Sequence, residues 1–197
     1  MQAVEALQQR NQSAARLIIL NDQRINEKRY ALEIMCITLI ATQQPMARDL
    51  RLLAAILEII TELERIGDYA KGISRITLMI GNQPLIIPIE KLVTMRDLGL
   101  DMLRRALKAF LDRDVETARK IPEEDDQVDA LYVDIYRQLI QKIIDQPTIV
   151  DQANHIMWAA HNLERLADRV TNICERTVYV VTGQMKEFDV LDNELTT

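Results

Sequence analysis

One ten-residue pattern occurs twice in this chain, one hundred residues apart. Thr61-Glu62-Leu63-Glu64-Arg65-Ile66-Gly67-Asp68-Tyr69-Ala70 is answered by Ala160-His161-Asn162-Leu163-Glu164-Arg165-Leu166-Ala167-Asp168-Arg169. Both copies carry Leu-Glu-Arg, an aliphatic residue, a small residue and Asp. On a helix, Glu and Asp four apart share one face, about 6 Å of rise from each other. Like charges at that spacing destabilise a helix by roughly 0.2–0.5 kcal/mol, so their recurrence at matching places asks for a reason.

The repeat extends well beyond the motif. Arg10, Ala15, Ile18, Asp22 and Ile25 match Arg113, Ala118, Ile121, Asp125 and Val128, and Gln44-Pro45 matches Gln146-Pro147. The offset drifts from 103 through 102 to 100, as loop changes would produce. With only 5 Gly and 5 Pro in 197 residues, 4% aromatics and no sustained strand-like alternation, the periods of three, four and seven predict an all-α fold. The predicted helices cover residues 1–10, 14–42, 46–80, 90–111, 115–145 and 148–182. They form two similar three-helix bundles, residues 1–83 and 89–184, followed by an acidic tail, 185–197. The helix opening the second half has about a dozen more residues than its counterpart, so the first bundle begins with a stunted helix or a leading segment precedes it.

A net charge of -6 with no basic stripe argues against nucleic acid as a partner. No uncharged run reaches the roughly 18 residues a membrane span needs. Cys36 and Cys174 stand alone within apolar helical pattern, as buried structural thiols do, and suit a reducing cytoplasm.

The duplicated Glu and Asp have possible company. Asp22 and Asn26 stand four apart near the start of the second helix, and Asp125 and Asp129 occupy the matching places. Antiparallel packing would bring Asp22, Asn26, Glu64 and Asp68 together in one bundle, and Asp125, Asp129, Glu164 and Asp168 in the other. Oxygen ligands without His or thiolate suit hard cations such as iron, manganese, magnesium or calcium. Spacing leaves a second reading open. Glu64 and Asp68 could pair with Arg65, Lys71 or Arg75, and Glu164 with Arg165 or Arg169, as solvated faces do. His161 precedes Glu164 by three, the reverse of the Glu-x-x-His order of di-iron bundles. Neither a Ser-His-Asp order, a Gly-rich phosphate loop nor a nucleophilic Cys context occurs. Asp112-Arg113-Asp114 reads as a helix cap, and Trp158 as core or interface.

Gln44-Pro45-Met46-Ala47-Arg48-Asp49-Leu50-Arg51, then Leu63-Glu64-Arg65-Ile66-Gly67-Asp68, and Leu163-Glu164-Arg165 with Asp168 through Thr171-Asn172-Ile173, closely resemble the PhoU family of phosphate-uptake regulators. The resemblance spans nearly the whole chain, with Ala167 at a usual Gly, Arg169 at a frequent His and Asn26 at an acid. It implies a cytoplasmic negative regulator of the phosphate-starvation response that contacts the phosphate ABC transporter and a membrane sensor histidine kinase. It further implies multinuclear iron or another metal (manganese, zinc, magnesium or calcium) at Glu64 and Asp68, Asp125 and Asp129, and Glu164 and Asp168. The competing class is a carboxylate-bridged metal enzyme of di-iron or phosphatase type. Two adjacent apolar stripes on the third helix, carrying Leu53 and Leu57, exceed what one seam requires and mark a surface for a partner or a homodimer.

Overall fold

The computed structural model describes residues 2–185 and Phe188, so most of the expected acidic tail lies outside the described residues. The described chain is all-helical: α1 (Gln2–Gln8), α2 (Gln12–Gln43), α3 (Arg48–Ile80), α4 (Glu90–Asp112), α5 (Val115–Lys120), α6 (Asp125–Asp145) and α7 (Val150–Thr182). One 3₁₀ turn, Ile121–Glu124, joins α5 to α6, and another, Pro147–Ile149, precedes α7. The single helix expected over residues 115–145 is therefore interrupted. Pro122 offers no N–H, and its ring crowds the carbonyl one turn back, so the ladder tightens there. Its repeat counterpart is Ile19, and α2 runs on unbroken.

The repeat is visible in how the helices begin and end. Asn11 caps α2 by accepting from the Ala14 N–H at 3.0 Å, and Asp114, its counterpart, caps α5 by accepting from the Thr117 N–H at 3.0 Å. Just before each cap, Arg10 and Arg113 both adopt the left-handed backbone, at φ 53° and 58°. Gly81 and Gly183 end α3 and α7 at positive φ, where a Cβ would be strained.

The two Leu-Glu-Arg helices, α3 and α7, pack on each other at the centre of the molecule. They run antiparallel: Gly72 lies against Asn162, Glu62 pairs with Arg169 and Glu58 pairs with Arg176. Around this pair, α4 and α6 cover α7, while α1 and α2 cover α3. Both cysteines are buried and free, as their apolar surroundings predict. Trp158 is not core: 66% of it is exposed.

The halves differ in how well they are covered. In the second, α4 lays Leu92, Met95 and Met102 into the core, and Val128 and Ile135 on α6 are 0% and 1% exposed. In the first, α1 supplies only Ala3, Val4, Ala6 and Leu7, and the matching Ile25 and Leu32 on α2 are 39% and 40% exposed. Sequence that looks equally apolar is thus unequally buried. Ile135→Ala should cost about 2–5 kcal/mol by transfer and cavity terms. Leu32→Ala should cost less than about 1 kcal/mol, since little transfer is lost at a half-open site. Urea denaturation of both variants reads the difference, and equal losses would contradict the asymmetry.

Candidate functional site

Two carboxylate clusters form where the repeat places them, and the chain treats them differently. In the first, Asp22 is buried on α2, and Asn26 Nδ2, one turn on, reaches its Oδ2 at 3.5 Å. Lys71 from α3 donates to the same oxygen and lies 3.6 Å from Asp68. Arg29 on α2 holds Glu33 at 2.9 Å and stands 3.5 Å from Glu64. The cluster therefore gathers around an ammonium and a guanidinium of its own chain. These hydrogen bonds, with Asp22 first for Lys71 and Glu33 first for Arg29, raise both cations above their ordinary pKa.

The second cluster lacks both cations. At the repeat positions of Lys71 and Arg29 stand Thr171 and Tyr132. Asp125 opens α6, Asp129 follows one turn later, and Glu164 and Asp168 face them from α7. Arg165 holds Asp168 at 2.8 Å, and His161 Nδ1 approaches Glu164 Oε2 at 3.1 Å without the alignment of a hydrogen bond. Asp125 and Asp129 make no ion pair among the described residues. Burial, reinforced by Asp129, Asp168 and Glu164, pushes the Asp125 carboxyl up to about 7. Burial first and then Asp168 raise Asp129 and Glu164 as well. Tyr132, standing in for Arg29, is itself raised by burial and by the charge of Glu164.

This second quartet is frustrated in charge. Among the described residues four carboxylates share one close guanidinium, and Asp125 Oδ1 and Glu164 Oε2 are buried without a hydrogen-bond partner. As the side chains stand, no three His, Cys, Asp or Glu among the described residues converge tightly enough to hold a metal ion. In donor type and in unbalanced charge the second quartet fits a hard cation; in the first, Lys71 already holds the place between Asp22 and Asp68.

A cleft of about 430 Å³ opens beside Asp125 and Asp168, walled on its far side by Glu58 and Glu62 of α3. Arg176 Nε reaches Glu58 at 2.6 Å and Arg169 Nη1 reaches Glu62 at 3.4 Å, tying the two halves across the cleft. The sequence reading missed this tie and missed Arg29. The available signal was the break in the repeat, charged residues on one side where the partner position is neutral. Leu53 and Leu57 are half-buried, and Leu57 lines a shallow groove with Ile37 and Thr61.

The electrostatics make a prediction for protein kept in chelator. The Asp125 pKa of about 7 lies above its ordinary 3.8, so the native state binds the proton more tightly than the unfolded state. Stability from this group is complete below the ordinary value and falls as pH rises through that window. Asp125→Asn should therefore raise the melting temperature most at pH 8, with the gain shrinking towards pH 4. A gain independent of pH would show that Asp125 bears no such strain.

Residues 1–77 and 92–177, one stretch from each half, match the PhoU domain family. The phosphate-specific transport system accessory protein PhoU homolog of Streptococcus pneumoniae serotype 4 is 35% identical over 187 residues, covering 95% of this chain and 87% of that protein. The phosphate-specific transport system accessory protein PhoU of Escherichia coli K12 is 35% identical over 185 residues, covering 92% and 76%. The crystal structure of the phosphate transport system regulatory protein PhoU from S. pneumoniae superposes with a TM-score of 0.87 at 33% identity, covering 94% and 87% of the two chains. That of PhoU from Pseudomonas aeruginosa does so with a TM-score of 0.87 at 29% identity, covering 92% and 88%. The doubled motif, the paired bundles and these matches agree: the chain belongs to the PhoU family.

Proposed function

We propose that this protein is a cytoplasmic regulator of phosphate uptake. It acts as an accessory protein to a phosphate ABC transporter and, with a sensor histidine kinase, holds the starvation response down when phosphate is plentiful. The observation that carries the reading is the match in both halves to proteins named as transport accessory or regulatory proteins. No helix among the described residues is long and apolar enough to cross a membrane, so contact with the transporter falls to the helical surfaces. The half-buried Leu53 and Leu57 stripe is the proposed surface, for the partner or for a homodimer. The rival, a carboxylate-bridged metal enzyme, has less support. The cleft beside the quartet has its acids Glu58 and Glu62 held by Arg176 and Arg169, and neither motif supplies Glu-x-x-His.

The metal function is proposed for the second quartet, with Asp125 and Asp129 of α6 and Glu164 and Asp168 of α7 as the residues that would hold it. Iron leads among the candidates, with manganese, zinc, magnesium and calcium also compatible with oxygen donors. A bound cation supplies the charge the quartet lacks and ties α6 to α7. Glu64 and Asp68 with Asp22 and Asn26 form the weaker site, because Lys71 and Arg29 already neutralise them.

Two experiments test the reading. In cells lacking their own regulator of this kind, the chain should restore repression of a phosphate-starvation reporter in high phosphate. Leu53→Asp with Leu57→Asp should lose that repression and transporter pull-down while keeping its helicity. A stably expressed chain that never represses would overturn the regulatory role. For the metal, manganese at a hundredfold excess over its Kd should stabilise the parent by about 2.7 kcal/mol. Glu164→Gln with Asp168→Asn should abolish that shift, and Glu64→Gln with Asp68→Asn should keep most of it. Identical melting of all three with and without manganese leaves the acids as solvated faces.

A further inference from the structure

The crossing of α3 and α7 makes two clefts, and the repeat relates them. On one side lies the ion-paired cleft already described, with Glu58 and Glu62 opposite Arg176 and Arg169. At an offset of one hundred these four positions become Trp158, Asn162, Ile76 and Tyr69. The second cleft, about 630 Å³, therefore has no ion pair across it among the described residues and stands open. Its volume falls within the roughly 300–1,000 Å³ of small-molecule sites.

The groups around this opening are specific in kind. Asn154, Trp158 and Asn162 recur every four residues, so the indole sits between two carboxamides along one line of α7. Trp158 is 66% exposed, and Met79, across the groove on α3, is 63% exposed. Arg75, one turn before Met79, is exposed and makes no ion pair among the described residues. Gly72 leaves space at that end, where a Cβ would come within 3.1 Å of Asn162 Nδ2. Asp151 lies seven residues before Trp158, about 10 Å along α7, at the end away from Gly72.

We propose that this cleft binds a nucleoside monophosphate. The base stacks on the Trp158 indole with Met79 at its edge, because an exposed aromatic face beside an apolar wall takes a planar ring. An Asn carboxamide presents a donor and an acceptor together, the pairing that matches the edge of adenine. The free Arg75 guanidinium takes the phosphate through its fork of N–H groups, at the end remote from Asp151. This site stands independently of the phosphate-regulator reading and of the metal quartet.

Trp158 is the chain's single tryptophan, so its fluorescence reports this cleft directly. Titration with AMP should quench it saturably, adenosine should do so more weakly, and inorganic phosphate alone should leave it unchanged. Arg75→Met should raise the AMP midpoint at least about tenfold, a loss of 1.4 kcal/mol, without moving that of adenosine. Arg75→Lys should recover part of the loss, and circular dichroism checks that both variants fold. Asn154→Ala with Asn162→Ala should weaken both ligands. Linear, unsaturable quenching by AMP, or an AMP midpoint unmoved in folded Arg75→Met, overturns the proposal. Displacement of AMP by phosphate without any binding of adenosine overturns the assignment of the ring to Trp158.

Discussion

Charge neutrality in half-buried helical seams is the constraint on which this structure turns. A carboxylate moved out of water must find a cation or hold a proton, and the repeat puts such carboxylates in both halves. In the first, Lys71 bridges Asp22 and Asp68 while Arg29 attends Glu64. In the second, Thr171 and Tyr132 occupy those places, and Asp125 holds its proton up to about 7. The same fold thus carries one cluster neutralised by cations of its own chain and one in which a buried carboxyl keeps its proton instead.

The α3–α7 crossing sets where these clusters can be. Each helix carries one Leu-Glu-Arg copy and the two run antiparallel, so α3 packs against α2 and α7 against α6. The inner faces of α3 and α7 make the two clefts. Ion pairs from Glu58 and Glu62 lock one of them, and Trp158 and Asn162 leave the other open. The duplication supplies an internal control throughout. Wherever one half keeps a residue and the other changes it, the difference isolates what that side chain does.

Much of this was legible in the chain. Period, low Gly and Pro content and the Gln-Pro breaks gave the helices, and the repeated motif gave the internal repeat, but not the packing of α3 on α7. The cap at Asp112-Arg113-Asp114 was marked by residue type alone, and Asp114 makes it. The break at Ile121–Glu124 was underread, because Pro122 sits where the apolar period continues undisturbed. Spacing pairs the eight oxygen-bearing residues one turn apart along their helices, yet it carries nothing about their electrical state. Arg29 reaches Glu64 across a helix–helix seam, a contact that spacing along one helix cannot show. Of the two readings of Trp158, core or interface, its exposure removes the first: hydrophobic type sets a tendency to be buried, but only packing decides which faces a neighbour covers.

Lys71 is the most direct point of attack on this account. The measurement is the melting temperature of Lys71→Met in chelator and in manganese, beside the parent protein. Losing the ammonium leaves Asp22 buried and unneutralised, so the variant in chelator should lose about 1–3 kcal/mol. Manganese should then return most of that loss, by entering a cluster that Lys71 had closed to it. A variant that melts with the parent in chelator would show that the buried carboxylates need no counter-charge, which contradicts the account.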